Sequence, residues 1–257
     1  MALPFETSSR VYDLLYKDKD YAAEAEFIHQ CLCSGDGVPE TLLELGSGTG
    51  VHAHLLAQKG HSMKGVDLSA GMISRANALR EQQPPDIRQR MEFHEGNVRT
   101  FKLGSKVDAV VSLFHVVSYQ TTNGQVLDMF RNARDHLEPG GLFLFDVWYG
   151  PAVLDEPPAV RVKRAEGGGL EVTRLCEPAL DVNRCTVDVR YTYLVREVPG
   201  GAVTESEEVH HMRYYFQPEL EHFLESAGFQ LAESFEWLTG TPLGSDTFGA
   251  CFIAKAT

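Results

Sequence analysis

Three glycines, Gly46, Gly48 and Gly50, fall in the run Gly46-Ser47-Gly48-Thr49-Gly50, directly after the short apolar segment Thr41-Leu42-Leu43-Glu44-Leu45. Residues without a Cβ let the backbone approach a ligand closely, and N–H groups opening a following helix point at whatever binds there. Such a turn takes a negative or polar group. A dinucleotide fingerprint, G-x-G-x-x-G, would need its third glycine where Val51 stands, so the spacing disfavours a nicotinamide cofactor. Two carboxylates refine the chemistry. Glu44, ahead of the turn, could accept from a cationic amine, and Asp67, closing the next apolar segment, is placed to take both hydroxyls of a ribose. Adenosine joined to an amino acid fits these groups better than a pyrophosphate.

A second set of residues could serve a reaction partner. Phe114-His115-Val116-Val117-Ser118-Tyr119-Gln120 follows a strong apolar segment and carries a histidine able to act as a base. Asp146-Val147-Trp148-Tyr149-Gly150-Pro151 follows another and joins a carboxylate to an aromatic pair, whose faces could hold a sugar ring or a cation. In His210-His211-Met212-Arg213-Tyr214-Tyr215, strand geometry puts His211, Arg213 and Tyr215 on one face and His210, Met212 and Tyr214 on the other, so at most one histidine points at a given pocket. A metal pair from adjacent residues is therefore not expected.

The elements that must position these groups alternate. Helical spacing over Asp20 to Cys33 ends at Ser34-Gly35-Asp36-Gly37. Thr41–Leu45 reads as a strand running through the glycine turn into a helix from about Thr49 to Lys59. Then come a strand near Ser62 to Val66, a helix over Ala70 to Gln82, and strands at Met91 to His94 and Val107 to Leu113. A helix over Asn123 to His136, a turn at Pro139-Gly140-Gly141 and a strand over Leu142 to Phe145 complete the series. Strands and helices alternating through short turns predict a parallel sheet covered on both faces. Between Val160 and Tyr215 the near-alternation of β-branched and charged residues predicts three or four antiparallel strands. After Pro218 a helix ending at Gly228 and two apolar segments, Phe229 to Leu238 and Phe248 to Ala254, return to the core.

At these residues the chain resembles the class I S-adenosylmethionine (SAM)-dependent methyltransferases. Glu44-Leu45-Gly46-Ser47-Gly48-Thr49-Gly50 is similar to that family's first motif, Gly65-Val66-Asp67-Leu68-Ser69 to its ribose motif, and Glu95-Gly96-Asn97-Val98 to its adenine motif. Leu137-Glu138-Pro139-Gly140-Gly141 resembles the turn before its fifth strand. The resemblance implies an α/β, Rossmann-like core with a mixed seven-stranded sheet and an inserted small antiparallel β-sheet. By it Leu68, Met72, Gly96 and Val98 join the cofactor contacts, Asn97 accepts the adenine amino hydrogen, and Leu113 or Phe114 lies near the methionine portion. Asn97 departs from the family's usual Asp, yet an amide oxygen still accepts.

The opening Val11-Tyr12-Asp13-Leu14-Leu15-Tyr16 and Lys19-Asp20-Tyr21-Ala22-Ala23-Glu24-Ala25 resembles the N-methyltransferases that dimethylate nucleotide-linked amino sugars in macrolide pathways. That resemblance makes Tyr12, Tyr16 and Tyr21 lid or pocket residues, Tyr16 and Tyr21 toward SAM and Tyr12 toward the acceptor. Residues 1–150 and 216–257 are then the SAM-binding core, with a helical lid over 1–34, and residues 151–215 the insertion. The acceptor side is expected to hold Tyr119, Asp146, Trp148, Tyr149 and Arg213, with His115, His211 and Tyr16 as candidate catalytic groups. Arg161-Val162-Lys163-Arg164 could supply positive charge to a diphosphate. A homodimer through the β insertion is a further expectation from the group.

Composition narrows the partners. A formal net charge of −13 repels polyanions, which disfavours nucleic acid and favours a small-molecule acceptor. Five cysteines without a C-x-x-C pair argue against a disulfide framework and a zinc site, and read as reduced cytoplasmic thiols. No apolar run approaches the roughly 18 residues that span a bilayer. The expectation is a cytoplasmic enzyme using SAM, yielding S-adenosylhomocysteine, without a metal. The rival readings are O-methylation with His115 or His211 as base, a SAM-binding protein without transfer, and, weakest, a nicotinamide dehydrogenase.

Overall fold

The computed structural model describes residues 11–34 and 37–257. The first ten residues of the expected lid, and Gly35 and Asp36 of its stop signal, lie outside the described residues. The chain opens with a single turn, α1 (Tyr12–Leu15), and α2 (Tyr21–Leu32). Asp20 starts α2 by accepting the Ala23 N–H at 2.9 Å, and the helix buries Ala25, Ile28 and Leu32. β1 (Thr41–Leu45), α3 (Val51–Gln58), β2 (Ser62–Asp67), α4 (Ala70–Glu81), α5 (Pro85–Arg88) and β3 (Met91–Glu95) follow. β4 (Val107–Ser112), α6 (Asn123–Asp135), β5 (Leu137–Tyr149) and α7 (Gly150–Asp155) come next. The Thr122 hydroxyl and the Gln125 side chain form a reciprocal cap that starts α6.

β1 to β5 are parallel, in the order β3-β2-β1-β4-β5. Past α8 (Gln217–Ser226), β10 (Phe229–Glu236) and β11 (Gly249–Ala256) extend the sheet, β11 lying antiparallel to both β5 and β10. Seven strands of mixed direction thus make the core, and Leu42, Leu43, Val110, Val111, Leu144 and Phe145 are fully buried in it. One local expectation is corrected. Pro139-Gly140-Gly141 is an irregularity inside β5 rather than a turn before it, because Val107 pairs with Leu137 while Ala109 pairs with Leu142. Gly140, at φ +88°, permits the excursion without breaking the strand.

β6 (Arg161–Gly167), β7 (Leu170–Asp181), β8 (Thr186–Glu197) and β9 (Val203–Tyr215) form an antiparallel arm. It meets the core sheet through two pairs, Trp148 with Tyr214 and Tyr149 with Tyr215. α1 packs its buried Val11 and Leu15 against Ala165, Val172 and Tyr193 of the arm. Asp13, in the same turn, accepts the Thr49 hydroxyl at 3.2 Å and pairs with Arg75. α1 is thereby held between the glycine turn and the arm. No helix among the described residues is long and apolar enough to cross a membrane.

Candidate active site

β1 in register with β2, Glu44 beside Gly65 and Leu45 beside Val66, brings the glycine turn next to Asp67. Gly46, Gly48 and Gly50 all have positive φ (+83°, +53° and +78°). A Cβ on Gly46 would meet both Val116 methyls at 2.6 Å, so shape as well as φ demands glycine there. Asp67 fixes the turn by accepting the Gly48 N–H and the Ser69 N–H, each at 2.9 Å. Burial raises its carboxyl above the ordinary range.

A cavity of about 270 Å³ opens over this turn, and a second of about 590 Å³ adjoins it. Both are lined by Tyr12, Phe114 and Tyr119. Of the expected cofactor contacts, Tyr21, Gly46, Ser47, Gly48, Asp67, Leu68, Met72, Asn97, Val98, Leu113 and Phe114 line the smaller cavity. Gly50 lies instead against Phe93, Gly96 against Phe101, and Glu44 is sealed beneath the turn. The Asn97 amide oxygen accepts two N–H groups of Arg99, at 3.0 and 3.2 Å. Tyr16 lines the larger cavity and not the smaller.

Beneath the smaller cavity lie charges that spacing did not disclose. Lys19, 4.1 and 4.3 Å from the ring centres of Tyr21 and Phe114, pairs with Glu24, which also takes His52 Nε2 at 2.7 Å. Burial alone would raise Glu24, but His52 and Lys19 outweigh it and hold the carboxyl below its usual range. Glu44 is less well compensated, its Oε1 standing 3.9 Å from His52 Nδ1. Burial, reinforced by the charge of Asp67, pushes it up to about 8, and its Oε2 has no hydrogen-bond partner among the described residues. An orphaned buried acceptor beside the turn fits a ligand bearing an ammonium. The residues present thus suit the amino acid and ribose ends of SAM.

The larger cavity brings together Tyr16, His115, Tyr119 and Trp148 of the expected acceptor residues. Phe114 and His115 both hold positive φ (+64° and +63°), and Asp146 explains how. Its buried carboxylate accepts the His115 N–H at 3.0 and 3.1 Å and stands 2.7 Å from His115 Nδ1. Asp146 itself lines neither cavity, and Tyr149 packs on the core side. His211 is not brought to the site: it is exposed on the outer face of β9, 2.6 Å from Asp188. Arg213 is also removed, buried against Asn123 and Glu219 and over the Tyr215 ring.

In their place stand His210, Arg174, Tyr191 and Tyr193, with Arg161 of β6. The pairings Arg174 with Tyr193 and Cys176 with Tyr191 put these residues on one face of the arm. Tyr119 Oη and His210 Nδ1 are 2.8 Å apart, and His210 Nε2 is 3.2 Å from Glu208, both acidic and basic groups being buried. Arg174 donates to Tyr16 Oη at 3.0 Å.

Residues 42–141 match the family described as a methyltransferase domain. The chain is 31% identical over 93% of its length to dTDP-3-amino-3,4,6-trideoxy-alpha-D-glucopyranose N,N-dimethyltransferase of Streptomyces venezuelae, covering 94% of that protein. The chain belongs to the SAM-dependent methyltransferases. Solved methyltransferases share its fold. A SAM-dependent methyltransferase from Clostridium acetobutylicum superposes with a TM-score of 0.80 at 20% identity, covering 98% of each chain. The sugar N-methyltransferase KedS8 from Streptoalloteichus gives 0.76 at 25% identity, covering 95% of this chain and 92% of that one. In this methyltransferase the smaller cavity lies over the glycine turn and Asp67, and the larger one adjoins it.

Proposed function

We propose that this methyltransferase transfers methyl groups to the amino nitrogen of a nucleotide-linked amino sugar. The observation that carries the reading is the junction of the two cavities at Tyr12, Phe114 and Tyr119, which lets a donor in one meet an acceptor in the other. The relatives named above, acting on a dTDP-linked amino sugar and on a sugar nitrogen, support it. So do Arg161 and Arg174, two guanidinium groups in the larger cavity of an otherwise acidic chain, suited to phosphate oxygens.

When bound, SAM supplies an electrophilic methyl group for in-line attack by the acceptor's lone pair. Asp67 would hold the ribose hydroxyls, and Glu44, whose unpartnered Oε2 lies beneath the glycine turn, would offer its charge to the ammonium, while Tyr12 and Phe114 exclude water from the junction. A sugar ammonium must first lose a proton. Tyr119 accepts it as its own hydroxyl proton passes to His210 Nδ1, and Glu208 holds the Nε2 proton so that Nδ1 is the accepting nitrogen. His115, steadied by Asp146, faces the acceptor from the other wall. A homodimer through the arm, whose outer strand β6 exposes Val162, belongs to this proposal and predicts a two-chain mass in sedimentation.

The test is incubation with SAM and a panel of nucleotide-linked amino sugars and their hydroxyl counterparts, read by mass. One or two methyl groups gained on the amino sugars alone is the expected result; methylation of the hydroxyl compounds alone sinks the nitrogen assignment.

Glu44 makes the donor side pH-dependent. With its carboxyl near 8 in the free protein against an ordinary 4.5, it is largely neutral at pH 7, and an adjacent ammonium draws it into the ionised form. Binding then releases a proton, so SAM affinity should rise up to about tenfold per pH unit and level off above about 8. A raised carboxyl contributes stability below its unfolded value that is lost as pH rises through the folded one, so the free protein weakens over the same window. Glu44→Gln should flatten the affinity profile in calorimetry between pH 6 and 8.5, a range set by the shift about 8. A retained slope would remove Glu44 from the cofactor's ammonium.

A further inference from the structure

At the opposite ends of β1 and β2 from the cavities, three side chains converge. His29 on α2 and Cys33, the cap residue just past its end, stand one turn apart, and His61 lies between α3 and the first residue of β2. His29 Nδ1 is 2.9 Å from His61 Nε2 and 3.7 Å from Cys33 Sγ, and one potential ligand atom from each residue lies within 4.8 Å of the others. Tetrahedral zinc with its usual bond lengths spaces two nitrogens by about 3.3 Å and a nitrogen and a sulfur by about 3.6 Å. The cluster is already close to that spacing.

We propose that His29, Cys33 and His61 form a zinc site that clamps the end of α2 to the turn after α3. His61 is oriented for the task. Its Nδ1 is 2.6 Å from the Pro39 carbonyl oxygen, which places the proton on Nδ1 and turns the Nε2 lone pair toward His29. A ligating histidine characteristically gives its other N–H to a carbonyl in this way. His61 is buried, and metal binds the neutral ring. His29 and Cys33 are half-buried, which leaves the open side to a water as fourth ligand. Cys33 binds as thiolate, its proton passing to solvent as sulfur takes the metal. The sequence hid the site because only His29 and Cys33 share a helix face, while His61 joins them through tertiary packing.

The site would clamp α2, which carries Glu24, the partner of His52 and Lys19. The test uses Co²⁺ as probe on the metal-stripped full chain, with the thiolate-to-metal charge-transfer absorption as readout and Zn²⁺ displacing it. Expected is one Co²⁺ per chain with that band, absent in Cys33→Ser and retained in Cys31→Ser. His29→Ala should weaken binding at least about tenfold, since loss of even an outer partner of a metal ligand costs 10- to 100-fold. No band in the parent protein, or a band that survives Cys33→Ser, overturns the site. Circular dichroism of each variant separates loss of a ligand from loss of fold.

Discussion

Replacing Asp67 with alanine is expected to weaken SAM binding by about a hundred- to ten-thousand-fold, measured by calorimetry at fixed pH and salt. Each hydrogen bond from a ribose hydroxyl to a carboxylate is worth about 1.5–3 kcal/mol, and two are lost. Part of the effect is indirect, because the same carboxylate accepts the Gly48 and Ser69 N–H groups and so shapes the surface on which the cofactor lies. Asp67→Asn separates the contributions. An amide offers one accepting oxygen where the carboxylate offers two, so either the Gly48 or the Ser69 N–H loses its acceptor, and the variant should fall between the parent and Asp67→Ala in both affinity and melting temperature. Affinity within threefold of the parent in Asp67→Ala would show that the ribose sits elsewhere.

Tyr119→Phe should lower kcat on an amino-sugar acceptor by about a hundred- to ten-thousand-fold, the usual span for a positioned proton acceptor. The ring stays, so the shared wall survives and SAM affinity should change little. The chemical step loses its link to His210, whose Nδ1 lies 2.8 Å from the hydroxyl. The same variant should recover activity as pH rises and more acceptor arrives unprotonated; the parent should show the weaker dependence. His211→Ala provides the contrast, since that ring stands outside with Asp188 and its loss should leave kcat unchanged. If Tyr119→Phe keeps full kcat at neutral pH, the proton goes elsewhere, and His115 beside Asp146 becomes the group to replace.

The glycine turn and its contact with Asp67 were legible in the sequence because they are local. Glycines at 46, 48 and 50, and a carboxylate closing the next strand, announce themselves by type and spacing, and parallel register brings them together with little freedom. The acceptor side depends on which face of a strand turns inward. Alternation separated His210 from His211, but choosing between them needs the packing of β9 onto β8, where Val189 faces His210 and Asp188 faces His211. Arg213 misleads for a related reason: a buried guanidinium on an active-site strand reads as a ligand anchor until Glu219 and Asn123 are seen to satisfy it. Arg174, Tyr191 and Tyr193 share the inward face with His210 and were missed because charged and aromatic residues alternate throughout the arm. Lys19 and Glu24 lie at the start of α2 and His52 on α3, and the three become a network only once α2 lies on α3.

α1 is a single turn, yet it touches everything that matters to traffic through the enzyme. Asp13 moors it to the glycine turn, Leu15 to the arm, and Tyr12 faces both chambers. The ceiling of one room is thus the partition of the next. A molecule held in the larger cavity against Tyr12 should therefore lengthen the residence time of one bound in the smaller, without touching it.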